Sequence, residues 1–225
     1  MTETEARGLL SMVRDVQLGC RTAGLSEYSS QVVSETVGRA FQKRRYMVIE
    51  QDLKHIQEVR PPEGVEIVPL GGDWSEVLQI LTRRGIARFR QRLAAGRTCL
   101  FARRDGRALG YTWISTRVET GIEFLPLALP GNAAYLWDLF VIHGARGLGV
   151  GSALTSARLA FARDAGFELG WRAISPDNRP SVRTAEKTGS VRVLGEITYV
   201  RRLGHVEFRE KREAGQPLIH ESDDR

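Results

Sequence analysis

A chain of 225 residues with 42% hydrophobic content carries enough apolar material for one sizeable core plus a small appendage, within the range of soluble globular proteins. The net charge of +6 comes mostly from arginine, since only Lys43, Lys54, Lys187 and Lys211 are lysine; acids are interleaved throughout and no aromatic–basic alternation offers a base-stacking surface, so nucleic acid is not an expected partner. No apolar run reaches the length of a membrane span, Met1-Thr2-Glu3-Thr4-Glu5 is too polar for a secretory signal, and Cys20 and Cys99 make neither a disulfide framework nor a metal set, so the expectation is a cytoplasmic chain without a metal.

Residues 1–60 read as an N-terminal helical extension. Leu9, Leu10, Val13 and Val16 share one side of a helix over Glu5–Val16, and Gly19 and Gly24 break it. A second helix begins at Ser26, with Ser29 as an alternative cap, and carries the stripe Tyr28, Val32, Val33, Val37, Ala40 and Phe41. That stripe either packs on the main domain or forms a face for a partner, including a homodimer contact. Lys43-Arg44-Arg45 then falls at a helix end, where cations suit the dipole. Tyr46–Ile49 reads as a short strand and Asp52–Glu58 as a helical turn. Arg60-Pro61-Pro62-Glu63-Gly64 is a rigid connector, which places the main domain at 61–211 and a polar, frayed tail at 212–225.

Within the main domain, Val65–Leu70 alternates as a strand. Trp74–Ala95 is helical, loosened near Gly85 and stopped by Gly96; Arg83, Arg84, Arg88, Arg90, Arg92 and Arg97 crowd it, as a solvated face. Thr98–Arg103 and Ala108–Ser115 form a hairpin across Asp105-Gly106. The stretch 117–134, with Phe124–Pro130 inside it, is either an irregular edge strand or a buried linker.

Leu136–Ile142 is an apolar strand that feeds Arg146-Gly147-Leu148-Gly149-Val150-Gly151, after which Ser152–Ala165 repeats as a helix with Leu154, Leu159 and Phe161 apolar. A strand, a glycine turn and a helix start make a phosphate site, because the first helical amides lack internal partners and carry partial positive charge. The turn lacks the Gly-Lys-Ser/Thr ending of a P-loop, and Ser152 stands where a dinucleotide fingerprint needs its third glycine. A further strand, Leu169–Ile174, leads through Ser175-Pro176-Asp177-Asn178 into a helix ending at Lys187-Thr188-Gly189. Val191–Val200 and His205–Phe208 read as a closing hairpin.

The ordered set Val141, Arg146–Gly151, Asn178-Arg179-Pro180-Ser181-Val182 and Glu186-Lys187-Thr188-Gly189 resembles the core of the GNAT (Gcn5-related N-acetyltransferase) superfamily, over the stretch from Gly64 to Phe208. The resemblance implies an α/β (α+β) fold with a GNAT-like mixed central sheet flanked by helices, here preceded by the helical extension. It implies acetyl-CoA, or another acyl-CoA, as co-substrate, and no metal.

It also implies the site. The amides of Gly147, Leu148, Gly149, Val150, Gly151 and Ser152 would hold the diphosphate, with charge from Arg146. The pantetheine arm would pair with the backbone of Leu139, Phe140 and Val141, as a strand adds to a sheet edge. Asn178 and Ser181 would contact the arm, and Asn178 also suits helix capping. Direct attack by an amine needs a base and a proton for the thiolate. Asp138 is the first candidate base, its side chain alternating with Trp137 and Leu139, with a purely structural carboxylate as the other reading; Glu123 is the second candidate. The family's usual tyrosine acid falls at Ala185, so Ser181, Thr184, Tyr199 or water stands in for it, and Ser190 replaces the usual aromatic. His143 belongs to the phosphate side or the surface, His55, His205 and His220 have no metal spacing, and Cys99 is an inert core thiol. The implied activity is transfer of an acetyl or other short acyl group from acyl-CoA to a primary amine of a small molecule. The alternatives are an enzyme for longer acyl chains from CoA or an acyl carrier protein, and a non-catalytic acyl-CoA-binding interaction module.

Overall fold

The order of elements follows the hydrophobic pattern closely through the middle of the chain and departs from it at both ends. The protein is described here as a computed structural model covering residues 41–72, 74–213 and 216–220; the helices expected over 5–16 and 26–40, and Cys20, lie outside the described residues. Among the described residues there are eight strands and four helices: β1 (Phe41–Asp52), β2 (Glu66–Pro69), α1 (Ser75–Leu78), α2 (Arg83–Ala94), β3 (Thr98–Arg104), β4 (Arg107–Ser115), β5 (Ala133–Val141), α3 (Val150–Asp164), β6 (Leu169–Ile174), α4 (Arg179–Lys187), β7 (Arg192–Arg202) and β8 (His205–Arg212). They fall into two units. The smaller holds residues 41–44 and Tyr199–Phe208, with the Tyr199 and Phe208 rings 5.6 Å apart. The larger holds Arg45–Thr198 and the described part of Arg209–Arg225.

In the larger unit the strand order is β2-β3-β4-β5-β6-β1-β7-β8. Strands β2 to β5 form an antiparallel meander, and Asp105-Gly106 makes the β3–β4 turn with both residues at positive φ, 53° and 69°. β5 and β6 are parallel, which requires a crossover, and α3 supplies it. β1 runs antiparallel to β6, from Met47 opposite Ile174 to Asp52 opposite Leu169. The result is the expected mixed sheet flanked by helices. Leu53, Leu100, Ile114, Ala134, Leu136, Leu159 and Ala162 form the core between the sheet and α3. On the opposite pleat face, Phe89 of α2 meets the rings of Tyr111 and Trp113 at 4.8 Å each.

Three expectations are corrected. Phe41, Lys43, Arg44 and Arg45 are extended in β1 and do not end a helix; from Met47 on, pairing with β6 sets the conformation, and tertiary pairing outweighs a helical spacing of apolar residues. Phe124–Pro130 adds no edge strand. It is a linker pinned by Leu125 and Leu127, 2% and 0% exposed, with Phe124 left 48% exposed and a single bridge from Leu127 to Ile219. The tail is not frayed at 218–219: Leu218 is fully buried, and the amides of Leu218 and Ile219 donate to Glu210 Oε2 at 2.7 and 3.1 Å.

Candidate active site

β5 is anchored on one side and opened on the other. Against β4 the register runs Ser115–Tyr135, Ile114–Leu136 and Trp113–Trp137, then resumes at Tyr111–Phe140 and Gly110–Val141. β5 therefore carries one residue more than β4 across this interval, a bulge, and Asp138 lies in it with φ 46°. Against β6 the pairing covers only Ala133–Tyr135 with Leu169–Trp171. Beyond that point the two strands part. Leu136–Val141 and Arg172–Ser175 become facing walls of a cavity of about 830 Å³.

The cavity runs to the start of α3. Gly149 is the N-cap of that helix in a left-handed conformation (φ 89°), Gly147 is likewise at φ 78°, and among the described residues no side chain caps the helix. The first-turn amides, including those of Val150, Gly151 and Ser152, thus keep their unpaired donors toward an anion. Arg146 lines the same end and is steadied by its Nε donating to the Val141 carbonyl at 3.1 Å. On the facing side Asn178 caps α4, its Oδ1 accepting from the Ser181 amide at 3.3 Å, and both residues line the cavity. The structure thus brings together Leu139, Phe140, Val141, Arg146, Gly147, Gly149, Gly151, Ser152, Asn178 and Ser181 around this cavity, while Leu148 and Val150 of the expected set do not line it. Among the described residues no three His, Cys, Asp or Glu side chains gather as a metal set, and no helix is long and apolar enough to cross a membrane.

The candidate proton-transfer groups are placed very differently. Asp138 lines the cavity, and Arg92 of α2 binds its Oδ2. Arg92 also lies over the Trp137 ring at 4.2 Å and the Trp113 ring at 5.2 Å. Asp138 therefore turns to the face that Trp137 occupies. The expected alternation fails there because a bulge residue at positive φ resets the pleat. Glu123 is enclosed in an ion pair: Arg97 donates to its Oε1 and Oε2 at 2.7 and 3.0 Å, Ser115 Oγ donates at 2.7 Å, and the Glu119 amide at 2.8 Å. Burial pushes the Glu123 carboxyl up, but the Arg97, Glu119 and Ser115 hydrogen bonds and the charge of Arg97 overcome it and hold it below the ordinary range. With its oxygens so occupied, Glu123 serves to tie the linker to β3 and β4. Tyr199 is buried against Phe208 in the smaller unit. Thr184 lines the cavity with its hydroxyl donating to the Pro180 carbonyl at 2.7 Å, and Ala185 is buried in the apolar cluster of Ile49 and Ile174. Burial pushes the Cys99 thiol up, as suits an inert core thiol.

Several lining residues escaped sequence reasoning, and three of them bear on the chemistry. Tyr46 brings a phenol to the cavity from β1, and Arg158 and Arg172 enter its wall from α3 and β6. Tyr46 was legible as strand but not as a neighbour of β5, since β6 lies between them in the sheet. Nothing in the local pattern separates Arg158 from the other arginines of an amphipathic helix.

Comparison with known proteins agrees with this geometry. Mycothiol acetyltransferase of Cellulomonas flavigena is 35% identical over 101 residues, which is 44% of this chain but 28% of that protein's length. Among solved structures, the glucosamine N-acetyltransferase region of a fungal multi-domain β-N-acetylglucosaminidase superposes with a TM-score of 0.56 at 10% identity, covering 78% of this chain and 23% of the other. A Drosophila protein superposes with a TM-score of 0.54 at 16% identity, covering 80% and 58% respectively. At such identities the superpositions speak for the fold alone. The sequence profile of the Acetyltransferase (GNAT) family matches residues 69–189, more than half of the chain and the whole span from β3 to α4. With the parted strands, the uncapped glycine turn and that profile in agreement, the chain belongs to the acetyltransferase (GNAT) family.

Proposed function

We propose that this protein is an acyl-CoA-dependent N-acyltransferase that passes a short acyl group to a primary amine of a small molecule by direct attack. One observation carries the reading: β5 loses its β6 partner after Tyr135, so a strand edge from Leu136 to Val141 faces a cavity that ends on uncapped helix amides. An open strand edge takes a peptide-like arm, and free amides at a helix start take a diphosphate. A CoA thioester has both parts, in that order, so the residues present fit it.

The chain's own groups then divide the work. The first-turn amides of α3 and Arg146 hold the diphosphate. Leu139–Val141 and the Asn178 amide nitrogen align the arm. Backbone amides released from the β4 ladder by the bulge polarise the thioester carbonyl. Arg92 holds Oδ2 of Asp138, leaving Oδ1 to accept the amine proton. The amine nitrogen bonds to the carbonyl carbon, the carbon–sulfur bond breaks, and the departing thiolate takes a proton from the Tyr46 phenol or from water. Free CoA and an amide are the products.

The test is release of CoA thiol from acetyl-CoA across a panel of amino sugars, amino acids and polyamines. Turnover with a defined acceptor is expected. Tight CoA binding with silence across the panel, under several acyl thioesters, would leave only a binding module.

A further inference from the structure

Two arginines are enclosed where β5 and β6 part. Arg158 is 2% exposed and Arg172 is 1% exposed, and both line the cavity. Each makes one hydrogen bond to a neutral group. Arg158 Nη1 donates to Thr112 Oγ1 at 2.8 Å, and Arg172 Nη1 donates to Gln51 Oε1 at 3.3 Å. Arg158 Nε and Arg172 Nη2 are buried and have no hydrogen-bond partner among the described residues. Among the described residues no carboxylate pairs with either. The contrast is Arg97, also buried, which is closed by Glu123. Burial pushes both guanidinium groups down, Arg172 to about 10, and the neighbouring charge of Arg172 adds to the fall at Arg158. A guanidinium gives up its proton with great difficulty, so two of them enclosed in the wall of one cavity with idle donors make a receptor for an anion.

Their place in the cavity says which part of a ligand they meet. Arg172 follows Trp171, the last β6 residue paired to β5. Arg158 is tied through Thr112 to the Trp137 carbonyl, one residue before the bulge. The diphosphate cradle at Gly147–Ser152 lies at the other end of the open edge. From Val141 to Leu136 the strand advances roughly 17 Å at about 3.3 Å per residue. An arm laid along that edge from the cradle brings its thioester to the bulge at Asp138, and what extends past the thioester toward Leu136 is the acyl chain. A carboxylate at the far end of that chain would find a planar, bidentate match in the two guanidinium groups.

We infer that the acyl donor is a CoA thioester of a short dicarboxylic acid, whose free carboxylate is held by Arg158 and Arg172. The inference rests on the N-acyltransferase reading and narrows its donor. The transfer is otherwise unchanged: the amine forms a bond to the thioester carbon, the thiol leaves with a proton, and the distal carboxylate is carried intact into the amide product.

The experiment compares succinyl-CoA with butyryl-CoA, which match in chain length and differ in the terminal carboxylate, by calorimetric binding and thermal shift on the full chain. The expected result is succinyl-CoA bound about 10- to 100-fold more tightly by the wild-type protein, as hydrogen bonds to a charged group imply. That ratio should fall toward one in Arg158→Met and, made separately, in Arg172→Met. Equal binding of the two thioesters by the wild type overturns the inference and leaves the N-acyltransferase reading standing. So does a thermal shift that follows free glycine added with CoA, which would assign the arginines to an acceptor carboxylate. Failure of CoA and of every thioester to bind overturns both readings. The wild-type comparison decides the matter even if neither variant folds.

Discussion

Replacing Gly110 with alanine acts on the wall of the site through the backbone. Gly110 sits on β4 opposite Val141 of β5. A Cβ at this position would stand 2.4 Å from the Phe140 carbonyl oxygen, 3.1 Å from the Val141 Cα and 3.3 Å from Leu154 Cδ1. The first two are main-chain atoms with no rotamer to escape into. The 2.4 Å approach must open to at least 3.0 Å, so β5 has to shift by 0.6 Å or more. The third contact presses on the fully buried Leu154 of α3. Overpacking of this kind costs about 1–3 kcal/mol. At 2–4 °C per kcal/mol for a chain of this size, Tm should fall by roughly 2–12 °C. The same shift displaces the Leu139–Val141 edge on which the proposed arm aligns, and a misplacement of about 1 Å in a positioned site costs on the order of 100-fold in rate. Scanning calorimetry and steady-state CoA release, run on wild type, Gly110→Ala and Gly131→Ala, make the comparison. Gly131 has no atom within 4 Å of its would-be Cβ, so its variant should stay within about 0.5 kcal/mol of wild type. Wild-type melting and wild-type turnover in Gly110→Ala would refute the claim that close approach of β4 fixes the open edge.

Asp138→Asn should lower kcat/KM for the amine by about 10²- to 10⁴-fold, with acetyl-CoA affinity held within about twofold; an unaltered kcat/KM removes Asp138 as the base. Tyr46→Phe should lower kcat by about 10²-fold if the phenol protonates the thiolate, and an unaltered kcat would hand that role to water. Arg97→Met strands the Glu123 carboxylate in the interior and should cost about 3–5 kcal/mol in urea-induced unfolding, and a loss below 1 kcal/mol would show that water reaches the pair. Because the folded Glu123 lies below its ordinary value of 4.5, its contribution to stability is fully present above that value and is lost as the pH falls through the depressed one. Glu123→Gln should therefore flatten the acid side of the stability–pH curve, and an unflattened curve would place the titration elsewhere.

The site was legible where chemistry is written locally. The run Leu136–Ile142, the glycines at 147, 149 and 151, and the cap at Asn178 are short-range signals, since a strand period, a positive φ and a capping side chain each act within a few residues. Where a long-range partner intervened, the reading failed. The periodic stripe running to Phe41 suggested a helix, yet the chain is extended from that residue on and pairs with β6 from Met47. Asp138 was expected to alternate with Trp137, yet the bulge in β5 and the grip of Arg92 place both on one face. Tyr46 gave no sign of its place because its approach depends on the order of strands in the sheet.

The amino-acid order alone therefore determined the glycine turn, the helix that follows it, the meander that precedes it and the family to which they belong, because each rests on backbone preferences and side-chain periodicity. The three-dimensional packing decided which carboxylate faces the cavity, which is locked into an ion pair, and which arginines at the fork of two strands lack a counter-ion among the described residues. Those outcomes depend on distances between residues remote in the chain, and burial, not sequence spacing, sets the strength of each charge there.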